Sequence, residues 1–375
     1  MNSRTGRYAR QCYMTEKDES LELIAAIDNV ALECLESVRR ALGIEAQHQP
    51  SESNHGLKRE QSPSEKLRDE KYFIPKSQGE VKASFDEADP AFESLLNYLW
   101  QRHNFNLTGY QRRSLMRRLH LRMQLLQIER CSDYQDYLER EPQEFVELFN
   151  IIEINVTSFF RDASSWEKLA VDIIPQIVAA KSPEEPIRVW SAGCASGEEV
   201  YSLAIVLAEI LGKEQYSSRV KIYGTDVDLE AINEAREGSY DSSKVFSLTE
   251  ALLNKYFEQT ENRYIFRPDL RHSITFGRHN MIEDAPMSQI DLLVCRNALI
   301  YFNIETQVRV LARFHFSLKD SGFLFLGKAE MVPTSTNLFA PVEMWRQFYT
   351  KVPRSNIHGR LLNKSLLRQR PKTKL

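Results

Sequence analysis

The feature that most constrains this chain is an alternation. From about Ser165 to Val352, short apolar runs of strand length alternate with stretches of helical periodicity. The runs Ile187–Trp190, Val220–Tyr223, Ile274–Phe276, Ile290–Cys295, Phe323–Leu326 and Gln347–Lys351 predict strands, and Tyr201–Leu211, Leu229–Arg236 and Glu305–Leu318 predict helices. Strands alternating with helices imply an α/β sheet. Between Tyr240 and Arg271 the pattern turns irregular, which predicts a small insertion with strands near Tyr264–Arg267.

Upstream the pattern is helical. Phe92, Leu95, Leu96 and Leu99 open it, a turn at Leu107-Thr108-Gly109 breaks it, and Leu115, Leu119, Arg122 and Leu126 then follow one face with Met116 and Met123 beside them. Tyr134, Tyr137, Leu138, Phe145, Leu148, Phe149 and Ile152 complete a small all-helical domain. The expected organisation is an extension over 1–45 with one amphipathic stretch (Leu21 to Leu42), a flexible polar linker over 46–90, the helical domain over 91–160 and the α/β domain over 161–352. The insertion falls at about 240–272, and 353–375 is read as a disordered tail. The linker is rich in Ser, Glu, Lys and Pro and buries too little apolar surface to offset the entropy of ordering. The tail holds seven Lys/Arg and no acidic residue.

Composition excludes several classes. A net charge of -3 is too small to imply a polyanionic partner. The five cysteines are scattered without a CxxC pair, which argues against a disulfide framework or a zinc site and fits a reducing cytosol; no metal site is expected. No apolar run approaches the roughly 18 residues a membrane-spanning helix needs, and the N-terminal arginines precede no apolar signal core. The expectation is a cytoplasmic globular protein without an integral membrane segment.

The most informative segment is Val189-Trp190-Ser191-Ala192-Gly193-Cys194-Ala195-Ser196-Gly197-Glu198-Glu199, which follows a strand pattern and opens a helix. Ligands of open α/β sheets sit beyond the carboxyl ends of the strands, where glycine permits close backbone approach. The loop lacks GxGxxG, and its two carboxylates disfavour a pyrophosphate while suiting a ligand with an ammonium and a sulfonium. A strand–helix turn with an acidic first helical turn has the same pattern. Asp226, ending the next strand, is placed to accept hydrogen bonds from ribose hydroxyls, although Asp is also a common helix cap there, and Asp226 and Asp228 can divide the two roles. The pair favours an adenosine-bearing cofactor without separating methyl from hydride transfer.

Asn155-Val156-Thr157-Ser158-Phe159-Phe160-Arg161-Asp162, at the junction of the two regions, resembles the NxTxFFR signature of the CheR-type protein-glutamate O-methyltransferases. The segment Gly197-Glu198-Glu199-Val200-Tyr201-Ser202 is similar to that family's GEEPYS, with Val200 in place of proline, and Cys295-Arg296-Asn297-Ala298-Leu299-Ile300-Tyr301-Phe302 resembles its CRNxxxYF. The resemblance covers roughly residues 92–352. It implies a Rossmann-like S-adenosylmethionine methyltransferase domain with an inserted small β-subdomain, preceded by a small all-helical domain.

By the same resemblance, Asn155, Thr157 and Arg161 line the cofactor site. Glu198 holds the cofactor's amino group, Asp226 the ribose, Asn280 and Met281 lie near adenine, and Arg296 and Asn297 complete the pocket. The implied reaction converts a glutamate carboxylate to its γ-methyl ester and S-adenosylmethionine to S-adenosylhomocysteine. Arg161 and Tyr301 are the candidates for orienting the acceptor, since one offers a planar donor fork and the other a single directional donor, and Arg296 is the alternative to Arg161. Arg113 and Arg117 recur at helical spacing opposite the Leu115–Leu119 face, where they suit the acidic cytoplasmic helices of chemoreceptors or form a solvated face. The segment Phe257–Phe266 is short for the receptor-pentapeptide loop of some family members, so a pentapeptide is not expected to be required. The rival readings are an RNA-directed methyltransferase, a nicotinamide-dependent oxidoreductase and a non-catalytic scaffold. No nucleic acid is expected as partner.

Overall fold

The computed structural model describes residues 89–103, 105–152, 155–343 and 347–353. The stretch Leu21 to Leu42, residues 46–88 of the linker and residues 354–375 of the tail lie outside the described residues.

Four helices come first: α1 (Pro90–His103), α2 (Arg112–Leu125), α3 (Cys131–Arg140) and α4 (Gln143–Ile152). Asp89 Oδ1 accepts the Ala91 N–H at 2.9 Å to start α1, and Pro90 occupies the first turn, where no intrahelical donor is needed. Phe92, Leu95, Leu99, Leu115, Leu119, Tyr134 and Leu148 form one buried core. Met116 and Met123 also join it, while Leu126 stays half-buried. Two of the basic residues of α2 turn inward. Arg122 donates twice to Glu144, at 2.8 and 2.6 Å, and Tyr134 adds its hydroxyl to the same carboxylate at 2.6 Å. Arg118, 8% exposed, donates to the Ile152 carbonyl.

Residues 155–162 lead into α5 (Ala163–Lys168), a π-helical turn (Leu169–Ile173) and α6 (Ile174–Ala179). Then follow β1 (Ile187–Ala192), α7 (Glu198–Arg219), β2 (Val220–Asp226) and α8 (Leu229–Glu237). The helix α7 is interrupted at Gly212 (φ 75°, ψ 159°), just past the predicted end at Leu211. The insertion contains β3 (Ser239–Tyr240), α9 (Ser242–Val245), α10 (Glu250–Tyr256), β4 (Phe257–Gln259), β5 (Tyr264–Phe266) and α11 (Pro268–Arg271). The chain returns through β6 (Ile274–Arg278), β7 (Ile290–Cys295), α12 (Ile304–Ser317), β8 (Leu318–Leu326), β9 (Phe339–Glu343) and β10 (Phe348–Lys351).

The main sheet has seven strands in the order β6-β2-β1-β7-β8-β10-β9. The pairs from β6 to β8 are parallel, whereas β10 runs antiparallel to both β8 and β9. From β1 the chain winds outward one way through β2 and β6, then returns to wind the other way through β7 and β8. The switch point therefore lies between β1 and β7, and it opens a crevice at their carboxyl ends. Side chains alternate between two cores: Val189, Leu292, Val294, Phe323 and Phe325 face one, and Trp190, Leu293, Cys295, Leu324 and Leu326 the other. The insertion makes a separate sheet, β3-β5-β4.

At the opposite end of β7 from the crevice, Asp291 is buried. Lys181 Nζ lies 2.9 Å from Asp291 Oδ1, with both side chains 4% exposed, and the Arg188 N–H donates to Oδ2 at 2.8 Å. Lys319 also reaches Asp291 Oδ1 at 3.3 Å, so removing Asp291 leaves Lys181 and Lys319 to share the half-exposed Glu185 and leaves the Arg188 N–H without its acceptor. Asp291→Ala is expected to lower unfolding stability in urea by about 1–3 kcal/mol, the scale of leaving a buried donor unsatisfied. A change within about 0.5 kcal/mol, as at an ordinary surface position, would show the pair to be dispensable.

Candidate active site

The crevice holds a cavity of about 410 Å³, within the range of small-molecule sites. Its floor is the loop after β1. Gly193 adopts φ 76°, and a side chain there would press its Cβ to 3.1 Å from Ala298 Cβ and 3.3 Å from Met281 Cε. The backbone therefore approaches the cavity where only glycine fits. Ala195 takes φ 46° beside it, pinned by its N–H donating to Asp226 Oδ2 at 2.9 Å.

Asp226 and Asp228 divide the roles considered for them. Asp228 caps α8, accepting the Glu230 and Ala231 N–H groups, and also accepts the Asn155 side-chain amide. Asp226 ends β2 facing the cavity, 7% exposed, and accepts the Asp228 N–H at 3.0 Å in addition to that of Ala195. A carboxylate has about four lone-pair sites, so capacity for two ribose hydroxyls remains. Burial pushes its carboxyl above the ordinary range, and the two N–H groups oppose that shift.

The structure does not bring Glu198 to the cavity. As the first residue of α7, its side chain turns to the Ser196 hydroxyl at 2.8 Å and to Lys244 Nζ at 3.5 Å. Successive helical residues differ in direction by about 100°, so Glu199 is the carboxylate that faces the cavity instead. Glu199 accepts the Ser191 hydroxyl at 2.8 Å and lies 3.6 Å from Arg296 Nη1. Burial raises its carboxyl, with Arg296 and then Ser191 pulling it down. Burial likewise lowers Arg296, so desolvation outweighs attraction in both partners. Arg296 is further held by Asp162 Oδ2 at 3.0 Å and the Arg161 carbonyl at 2.8 Å, and its guanidinium packs over Phe325 and Trp166 at 4.8 and 5.6 Å.

Asn155, Thr157 and Arg161 line the cavity from one side, Asn280 and Met281 from the turn after β6, and Asn297 and Tyr301 from the loop after β7. Phe159 anchors the 155–162 segment against Tyr240 and Phe257 of the insertion, with ring centroids at 5.1 and 5.7 Å, and Tyr240 donates its hydroxyl to the Ser196 carbonyl at 2.8 Å. The insertion thus buttresses both the segment and the loop. Over Tyr301 lies the Arg118 guanidinium, 4.6 Å from the ring. Arg113 and Arg117 are exposed on α2, outside the cavity lining. Sequence reasoning missed Glu199 as the inward carboxylate and the contribution of Phe105, Tyr110 and Phe149 to the cavity wall. The 3.6-residue period separates the two glutamates only once the start of α7 at Glu198 is known.

An open parallel sheet whose switch-point crevice carries two buried carboxylates and a glycine-only floor defines the class: a doubly wound α/β protein shaped for a nucleoside that bears a cation. Comparison with known proteins gives the particular family. Residues 155–348 match the family described as CheR methyltransferase, SAM binding domain, and residues 90–152 match the CheR methyltransferase, all-alpha domain. The chain is 30% identical over 251 residues to a chemotaxis protein methyltransferase of Borreliella burgdorferi, covering 65% of this chain and 89% of that protein. It is 34% identical over 196 residues to one of Listeria monocytogenes, covering 52% and 72% respectively. An uncharacterized 104.1 kDa protein of Rhodobacter capsulatus is 35% identical over 248 residues, which are 66% of this chain but only 26% of that protein. The chain belongs to the CheR methyltransferase family, and S-adenosylmethionine is its cofactor. The residues present fit that cofactor in kind, since the cavity presents two buried carboxylates, Glu199 and Asp226, as acceptors for an ammonium and for ribose hydroxyls.

Burial raises Glu199 and Asp226 above the ordinary carboxyl values, and each is a much stronger acceptor for an ammonium or hydroxyl when ionised. Affinity for S-adenosylhomocysteine is therefore expected to be full at neutral pH and to decline as pH falls through the raised values. In that window binding releases a proton. Calorimetry in buffers of different ionisation enthalpy measures this, and Glu199→Gln should diminish the release. Affinity that stays flat down to pH 4.5 in the unmodified protein would contradict the assignment.

Proposed function

We propose that this protein methylates glutamate side-chain carboxylates of chemotaxis-type receptors, giving γ-methyl esters and S-adenosylhomocysteine. The observation that carries the reading is the convergence of Arg161 and Tyr301 on a cavity that also presents Glu199 and Asp226. Cofactor-facing carboxylates and acceptor-facing donors thus share one site. The names of the Borreliella and Listeria relatives support chemotaxis as the setting.

In this reading Asp226 holds the ribose hydroxyls, Glu199 rather than Glu198 holds the amino group, and Asn280 and Met281 bound the adenine. Asn155 and Thr157 close the cofactor site beside Arg161, and Arg296 and Asn297 shape its inner wall. S-adenosylmethionine supplies an electrophilic methyl on a sulfonium. A glutamate acceptor is already ionised at neutral pH, so this chain needs no strong general base. Its task is alignment and exclusion of water. Arg161 steers the carboxylate through charge, and the Tyr301 hydroxyl donates to the oxygen that does not attack. Arg113 and Arg117 on the outer face of α2 attract an acidic receptor helix. The β4–β5 connection, Thr260 to Arg263, closes on itself through the Thr260 N–H to the Arg263 carbonyl at 2.8 Å, which supports activity without a receptor pentapeptide.

Incubation with methyl-labelled cofactor and receptor-containing membranes is expected to yield base-labile protein label, as a carboxyl ester requires. Base-stable label would point to a nitrogen or carbon acceptor and refute the reading. Among the described residues the Arg161 side chain donates only one exposed bond, to the Val156 carbonyl at 3.1 Å, while its backbone carbonyl receives Trp166 Nε1 and Arg296, so Arg161→Ala should keep the fold. Turnover should fall about 100-fold, as for loss of an aligned donor. Near-normal turnover removes Arg161 from the mechanism. Replacing Arg113 and Arg117 by Glu should slow methylation at low salt and much less at high salt, and salt-independent kinetics would exclude them from docking.

A further inference from the structure

The connection after β8 carries a carboxylate that faces away from the cofactor cavity. Glu330 is 3% exposed and absent from the cavity lining. Its Oε2 accepts the N–H groups of Asn297 at 2.8 Å and Gly327 at 2.7 Å, and its Oε1 accepts that of Leu299 at 2.7 Å. No salt bridge reaches it among the described residues. Burial raises its carboxyl, and the surrounding N–H groups hold it down. Keeping an unpaired carboxylate out of water is costly, and packing alone would be served by a neutral side chain. What the carboxylate supplies is several acceptor sites at one point, enough to grip two loops together.

The gripped loop is the one that bears the site. Asn297 follows Arg296 directly and sits at φ 62°, a left-handed conformation that needs outside support. Leu299 opens the 3-10 turn Leu299–Tyr301. We infer that Glu330 is a positioning residue that sets the Arg296–Tyr301 loop in its working geometry, with its two oxygens dividing the labour. Oε2 ties Asn297, on the cofactor wall, to the end of β8. Oε1 fixes the turn that presents Tyr301 to the acceptor.

That division makes Glu330→Gln informative. A glutamine amide has one acceptor oxygen. With its oxygen in the place of Oε2 it keeps Asn297 and Gly327, and its NH₂ confronts the Leu299 N–H. The reverse orientation sacrifices the bonds at 2.8 and 2.7 Å to Asn297 and Gly327, whereas this one gives up Leu299 at 2.7 Å together with the weaker pull of the Ile300 N–H in the same turn. The variant therefore releases the Tyr301 turn and retains the cofactor wall. Gly327 offers an independent perturbation. A Cβ there would stand 2.8 Å from Glu330 Oε2 and 2.9 Å from the Asn297 nitrogen, so Gly327→Ala wedges the Oε2 grip and spoils the cofactor wall.

The experiment uses the full chain and three readouts. In Glu330→Gln the Leu299 amide should exchange with solvent much faster than in the unmodified protein, while S-adenosylhomocysteine affinity changes less than about threefold. Turnover on receptor membranes should fall about tenfold or more at unchanged cofactor KM, the scale of losing one charge-assisted hydrogen bond. Gly327→Ala should instead weaken S-adenosylhomocysteine binding. Unchanged Leu299 exchange in Glu330→Gln overturns the inference, as does a loss of affinity, exchange protection and turnover all in proportion to the unfolded fraction. The turnover readout rests on the carboxyl-methylation reading, whereas exchange and binding do not. If the unmodified protein methylates no receptor, that reading fails while exchange and binding still decide the role of Glu330.

Discussion

The geometry of the site depends on how a guanidinium is kept inside the protein. Arg296 stands at the end of β7, buried, where desolvation opposes its charge. It is tolerable there because Glu199 comes from the helix after β1, Asp162 and the Arg161 carbonyl come from the segment entering the sheet, and Phe325 and Trp166 offer their π faces. Nε stays without an acceptor, so the arrangement is not the least costly one available. What it achieves is connection. One side chain draws together the cofactor loop, the 155–162 segment and the loop after β7, each of which also carries a residue in the left-handed region: Ala195, Asp162 and Asn297. Backbone strain of this kind persists only where surrounding contacts over-determine it.

Much of the fold was legible because its signals are periodic. Strands β1, β2, β6, β7, β8 and β10 and helices α7, α8 and α12 lie where apolar runs and 3.6-residue patterns predict them. In the main sheet the exception is β9, which contains Pro341. Proline argues against a strand, and β9 tolerates it as the last strand of the sheet, where one side needs no ladder partner. The early start of β8 at Leu318 was hidden because Lys319-Asp320-Ser321-Gly322 has the composition of a turn.

Site residues were legible only where they occur in runs with distinctive chemistry. The 155–162 segment, the GEE loop and the Arg296-Asn297 pair announce themselves, and all contribute to the cavity. The choice between adjacent glutamates is a matter of helix phase, and phase depends on where the first turn starts, which local sequence defines poorly. Glu330 leaves no trace in periodicity or composition. It is a single acidic residue after a strand, and its partners are backbone amides, which carry no sequence identity at all.

The helical domain is more than a cover. Backbone bonds stitch it to the loop after β7: the Gln111 N–H donates to the Tyr301 carbonyl at 2.8 Å, and the Asn303 N–H to the Gly109 carbonyl at 2.9 Å. Tyr110 bridges Phe302 in antiparallel fashion, and their rings pack edge to face at 5.2 Å. Arg118 then places its charge over the Tyr301 ring from the inward face of α2. That helix therefore has two basic faces with different duties. Arg118 and Arg122 are spent internally, on Tyr301, Ile152 and Glu144, while Arg113 and Arg117 remain at the surface. Under the proposed reading, an acidic helix held on the outer face is held by the same rigid element whose inner face sets Tyr301. Docking and alignment of the acceptor then share one lever arm, and a shift of α2 would move both together.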